Sequence, residues 1–304
     1  MLRRLTARAR ATLPPPVLAR VRQLALGWGQ VTAPARMTPS FLIIGAQRCG
    51  TTSLFRVLSE HPDLVRPTMS KGIAYFDMNY PKGERWYRAH FPVAALARWR
   101  AGGRPQTFES SGYYSVHPLA AGRIARDLPD VKVVLMVRNP VDRAYSAHRH
   151  ESSRGFEDVP FERALELEPT RIAGEAERMV ADPTYESFEH RHHAYLTRSR
   201  YAEQVQRFVD ALGPDRVRVV DADRFFADPQ PELTALFAWL GLRPWPVEHV
   251  DVWNARPGSP LDAELEERLM RYFEEPDRRL AELMGRLPSW RDPAFTAGRS
   301  PVSR

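Results

Sequence analysis

Residues 41–52, Phe41-Leu42-Ile43-Ile44-Gly45-Ala46-Gln47-Arg48-Cys49-Gly50-Thr51-Thr52, decide the fold. The four apolar, β-rich residues make a short buried strand, and Gly45 and Gly50 bracket a loop. Residues 52–59 carry Leu54, Phe55, Val57 and Leu58 at the spacing of one helix face. The order is strand, glycine loop, helix. Such a loop points backbone N–H groups at an anion lying on the helix N-terminus. By itself it also fits a plain chain reversal, so the second motif has to decide.

That motif follows a second strand at 131–137, nearly continuous in β-branched and apolar residues, as a parallel strand buried on both faces requires. Arg138-Asn139-Pro140 closes the strand, and Pro140 permits a helix over 141–152. Arg138 then stands just past a strand end and Ser146 two turns into the next helix. Both can face a cleft at the carboxyl ends of the strands and bind a phosphate there. The alternation continues with a helix over 201–212 ended by Gly213-Pro214, a strand over 217–220, and a helix over 231–240 stopped by Gly241. Residues 153–198, rich in Glu, Arg and His, predict a mostly helical insertion over the cleft, and residues 261–285 predict one long helix.

Thr51 narrows the choice of ligand. In the P-loop, Gly-x-x-x-x-Gly-Lys-Ser/Thr, a lysine follows the second glycine and reaches the β and γ phosphates of a nucleotide. Thr51 occupies that position here, and no acidic strand end is legible to hold Mg²⁺, which argues against a kinase. A smaller anion needs less: backbone donors, the Thr51 and Thr52 hydroxyls, and the Arg48 guanidinium as the cation.

The two motifs together resemble a known family. Residues 43–52 look like the 5′-phosphosulfate loop of the sulfotransferases that use PAPS (3′-phosphoadenosine 5′-phosphosulfate). Residues 137–146, Val137-Arg138-Asn139-Pro140-Val141-Asp142-Arg143-Ala144-Tyr145-Ser146, look like their 3′-phosphate motif. The heparan-sulfate type and its bacterial relatives are nearest, with Tyr75-Phe76-Asp77, Trp86-Tyr87, Arg200-Tyr201 and Leu287-Pro288-Ser289-Trp290 in the expected order. The resemblance implies an α/β, P-loop-NTPase-like three-layer fold with a central parallel sheet flanked by helices. It also implies PAPS as donor without a metal, and a saccharide or other small hydroxyl acceptor. It assigns Arg48, Gly50, Thr51, Thr52 and Ser53, with Gln47 and Cys49 of the same loop, to the phosphosulfate. Arg138 and Ser146 fall to the 3′-phosphate, and Arg256 to a loop that closes over the nucleotide. Where relatives carry a Glu or His base, this chain has Gly72 and Ala74, so Glu109 is the substitute candidate, with His117 and Asp77 behind it. A nucleotide-binding protein that kept the donor site and lost the base remains the alternative.

Composition sets the outer bounds. The 304 residues, 43% hydrophobic and 27% charged, fit a soluble globular chain, divided here into a basic extension, 1–40, and one domain, 41–304. The net charge of +7 favours an anionic partner. Lys71, Lys82 and Lys132 are the only lysines among 44 basic residues, so anion contacts fall mostly to arginine. Dispersed positive charge without an aromatic-basic module argues against nucleic acid. Cys49 is the single cysteine, which excludes an internal disulfide and is compatible with a cytoplasmic location. Residues 24–28 are too short an apolar run for a membrane span, and the seven arginines of residues 1–40 suggest at most a peripheral membrane contact. His190, His192 and His193 lack a matching ligand set for a metal. Trp86, Tyr87, Tyr113, Tyr114 and Tyr195 read as core aromatics before sugar-stacking ones.

Overall fold

The computed structural model describes residues 14–247, 249–251 and 260–297. Five strands form one parallel sheet: β1 (Phe41–Gly45), β2 (Leu64–Val65), β3 (Gln106–Ser110), β4 (Lys132–Val137) and β5 (Val217–Asp221), in spatial order β2-β3-β1-β4-β5. Every residue of β1 is buried, as are all of β4 after Lys132, so both faces of the sheet centre are covered. This is the α/β architecture that the resemblance implies, a central parallel sheet flanked by helices.

The helices are α1 (Pro15–Val31), α2 (Thr51–Leu58), α3 (Gly83–Arg88), α4 (Ala94–Ala101), α5 (Ala120–Asp127), α6 (Pro140–Ser152), α7 (Phe161–Ile172) and α8 (Glu175–Ala181). They continue with α9 (Phe188–His192), α10 (Tyr201–Leu212), α11 (Ala222–Ala227), α12 (Pro229–Leu240), α13 (Ala263–Tyr272), α14 (Glu274–Met284) and α15 (Pro293–Ala297). Local chemistry sets several starts. Asn139 caps α6 by accepting the Val141 and Asp142 N–H groups, with Pro140 in the first turn, and Asp228 caps α12 in the same way through Gln230. Segment 153–198 contains α7, α8 and α9.

The single long helix expected over 261–285 is in fact two, separated at the buried Phe273. Pro276 explains the break, because its ring has no N–H to bond the Tyr272 carbonyl and crowds the preceding turn. Strand β3 carries Glu109 within it, and β2 is only two residues long. No described helix is long and apolar enough to cross a membrane.

The topology places the site. From β1 the chain runs to one side of the sheet through β2 and β3, and from β4 it runs to the other through β5. The loops after β1 and β4 therefore part at adjacent strand ends, the crevice where open α/β sheets bind ligands. A second, smaller core joins Val141, Ala144, Phe161, Tyr195, Leu269 and Phe273, and packs α6 against α7 and α13.

Candidate functional site

The loop after β1 turns into α2 through Gly50, which sits at φ 79°, a left-handed conformation that a Cβ would strain. A Cβ there would also lie 2.8 Å from the Phe226 ring. The backbone conformation favours glycine, and a side chain there would have to displace the ring. Arg48 holds φ 73° as well, and from that backbone its Nε donates to Ser146 Oγ at 3.0 Å. The two sequence motifs thus meet across 98 residues. Arg138 approaches Asp142 at 3.2 Å on the first turns of α6. Cys49 is buried against Tyr201, its sulfur 3.5 Å from the hydroxyl, and burial pushes its thiol up.

At the start of α2 the arrangement contains a cation that the sequence reading assigned no role. Lys71 Nζ donates to Thr51 Oγ1 and Thr52 Oγ1, both at 3.1 Å. Burial pushes its ammonium down to about 8, and among the described residues no carboxylate pairs with it. Its rarity in the composition was the one signal available; its reach to the loop is tertiary. The N-terminus of α2 adds the positive end of its dipole at the same point.

Two cavities flank this loop. The larger, about 580 Å³, is lined by Thr52, Ser53, Arg56, Arg66, Lys71 and Asp251 among others. Ser53 Oγ closes one side by donating to the Asp251 carbonyl at 2.7 Å. The smaller, about 290 Å³, is lined by Gln47, Gly72, Ala74, Asp77, Tyr113 and Arg198 among others. Gln47 faces this smaller cavity, and its Oε1 accepts from Arg198 Nη2 at 2.7 Å. The segment after Ser70 borders both spaces: Lys71 faces the first, Gly72, Ala74 and Asp77 the second. A Cβ on Gly72 would fall 2.6 Å from the Ser110 carbonyl oxygen, so this backbone leaves no room for a side chain at that position.

The candidate bases separate clearly. Glu109 is fully buried and occupied: Oε2 accepts from the Ile73 N–H at 3.1 Å and Ser111 Oγ at 2.7 Å, and Oε1 from the Tyr114 and Tyr87 hydroxyls at 2.7 and 3.3 Å. Four donors fill its lone pairs, and it lines neither cavity. Its geometry is that of a structural acceptor. His117 is buried too. Its Nδ1 accepts the Leu119 N–H at 3.3 Å, and burial, helped by Arg123, His190 and Arg207, pushes its imidazole down to about 3. Neither residue lines either of the two cavities. Asp77 does line the smaller cavity, with Oδ1 accepting the Met78 N–H at 2.6 Å, and burial pushes its carboxyl up to about 7.

Arg256 lies outside the described residues. His190 bonds Tyr113, His192 bonds Glu151, and His193 bonds Glu189 and the Phe156 carbonyl. Among the described residues no group of three or more His, Cys, Asp or Glu gathers to hold a metal. Tyr87, Tyr114 and Tyr195 are core residues and Trp86 packs on the core, while Tyr113 faces the smaller cavity.

Comparison with known proteins agrees with this geometry. Residues 38–254 match the sulfotransferase domain family. The bifunctional heparan sulfate N-deacetylase/N-sulfotransferase 1 of Caenorhabditis elegans is 28% identical over 215 residues, covering 69% of this chain and 23% of that protein. The human protein of the same name is 29% identical over 209 residues, covering 67% and 22%. The chain thus spans under a quarter of the length of these relatives. A sulfotransferase from Alicyclobacillus acidocaldarius of known structure superposes with a TM-score of 0.61 at 30% identity, covering 84% of this chain and 99% of that one. The chain belongs to the sulfotransferase family.

Proposed function

We propose that the protein transfers a sulfuryl group from PAPS to a hydroxyl of a saccharide acceptor and releases adenosine 3′,5′-bisphosphate. The observation that carries this reading is the 3.0 Å bond from Arg48 to Ser146, which joins the glycine loop to the second motif at the β1/β4 crevice. One nucleotide with phosphates at both ends of its ribose matches that pairing. The saccharide is supported by the names of the heparan sulfate relatives.

In this reading Thr51, Thr52 and the N-terminus of α2 hold the 5′-phosphosulfate, with Gly50 allowing close approach and Ser53 tied to the Asp251 carbonyl. Arg138, Ser146 and Arg48 hold the 3′-phosphate. The expected role of Arg48 thus shifts, because its guanidinium is turned toward Ser146, and Lys71 takes its place beside the phosphosulfate. The acceptor oxygen attacks sulfur in line as the bond from sulfur to the bridging oxygen breaks. Negative charge then grows on the leaving 5′-phosphate, where Lys71 and the helix dipole stabilise it. The acceptor proton passes to Asp77, the carboxylate on the neighbouring cavity. These cations supply the charge that a metal would otherwise bring, so the reaction is expected to run without one.

The test is transfer of labelled sulfate from PAPS in the presence of a chelator. The acceptor panel sets oligosaccharides with hydroxyls alone beside others with free amines, since the relatives are named N-sulfotransferases. Labelled hydroxyl product supports the reading. Label on amines alone would reassign the acceptor, and no transfer despite bisphosphate binding would leave a nucleotide-binding protein.

A further inference from the structure

Helix α1 turns its apolar side outward. Val17, Val21, Leu24, Trp28 and Val31 recur at steps of four and three, and all are exposed, from 43% at Val17 to 74% at Val31. At the helical repeat they fall within a stripe about 80° wide. The far side of the helix is fastened. Gly29 is buried, and a Cβ there would lie 2.7 Å from Ala89 Cβ, so the helix backbone presses directly on the end of α3. Just beyond the helix, Arg36 Nη1 donates to the Ala89 and Phe91 carbonyls at 3.1 and 2.5 Å, and Arg88 Nη2 donates to the Arg36 carbonyl at 3.0 Å. These contacts set the rotation of the helix. The outward stripe is therefore a property of the fold.

Helix α1 itself carries charge of one sign. Residues 1–40 contain seven arginines and no aspartate or glutamate, and Arg20 and Arg22 are exposed on α1 itself. We propose that α1 docks on an anionic membrane surface, the Val17–Val31 stripe entering the boundary between headgroups and acyl chains while the arginines meet the lipid phosphates. An apolar stripe with a tryptophan, bordered by arginine, is the composition of an interfacial helix. Packing against a second copy of the same stripe is disfavoured, because it would bring the two basic segments together with no acidic residue in either to pair with. A bilayer with anionic lipids attracts the same charges.

The experiment is co-sedimentation of the full chain with phosphatidylcholine vesicles, with and without phosphatidylserine, for the wild type, Leu24→Glu/Trp28→Glu and Arg20→Gln/Arg22→Gln. All four positions are exposed, so the variants should keep the wild-type thermal midpoint by circular dichroism. The expected result is at least tenfold stronger partition onto the anionic vesicles, abolished by the Leu24/Trp28 pair and weakened by the arginine pair and by high salt. Equal partition onto both vesicles, or undiminished binding by Leu24→Glu/Trp28→Glu, would overturn the proposal. So would a lipid-free dimer that this variant dissociates, which would give the stripe to a second copy.

Discussion

Lys71 and Asp77 sit six residues apart and face different cavities, and burial moves each toward neutrality from its own side. With its ammonium at about 8, Lys71 is charged at neutral pH and loses its proton above that value. A bound 5′-phosphate favours the charged form, so bisphosphate binding near pH 8 should take up a proton and weaken as pH rises further. Calorimetry in buffers of different ionisation heat should show that uptake in the wild type and not in Lys71→Arg, while Lys71→Met should lose tenfold or more in affinity. For Asp77 the folded value of about 7 lies above the ordinary 3.8. Between these values the folded state keeps a proton that the unfolded state has released, so the stability it contributes is full below about pH 4 and lost as pH rises to 7. Burial is the main cause, with Glu109 reinforcing it and Arg191 opposing it; Arg123, Tyr113 and Tyr114 also face this carboxylate. Asp77→Asn should flatten that slope in urea titrations. It should also cut turnover by roughly 10²–10⁴-fold, and in the wild type turnover should climb with pH through 7. The sequence offers Glu109 and Asp77, in two separate segments, as candidate acids. It does not show that Ile73, Tyr87, Ser111 and Tyr114 saturate the first, because two of those donors, Ile73 and Tyr87, come from segments distant in the sequence.

At the scale of elements, Glu109 is one of several ties between β3 and the segment that carries Lys71 and Asp77, since it takes the Ile73 N–H two residues past Lys71, beside the bond from the Ser110 N–H to the Lys71 carbonyl. Removing it strands three hydroxyls and that amide. Glu109→Ala is therefore expected to cost about 3–5 kcal/mol in denaturant unfolding, and a smaller loss would mean that the segment is held by other contacts. Elements whose information is local were legible. Strands β1, β4 and β5 are apolar runs, α6 and α12 are announced by proline beside a capping residue, and α10 ends at Gly213. Strand β2 is two residues long, β3 is polar at Gln106, Thr107, Glu109 and Ser110, and α3 and α4 are short; in each case tertiary packing outweighs weak local preference. The break at Phe273 was written in Pro276, but the apolar period runs through it on both sides.

For the whole molecule, the strand order β2-β3-β1-β4-β5 brings two motifs nearly a hundred residues apart to one crevice. The pairing of a strand, a glycine loop and an Arg-Asn-Pro turn made that crevice legible, whereas the division of the space beyond it into two cavities depended on where the segment after Ser70 lies. The account rests on a nucleotide bound at both of its phosphates without a metal. Calorimetric titration with adenosine 3′,5′-bisphosphate in a chelator tests this most directly. The expected result is saturable binding by the wild type that Arg138→Ala weakens tenfold or more; no binding, or binding undiminished in Arg138→Ala, would contradict it.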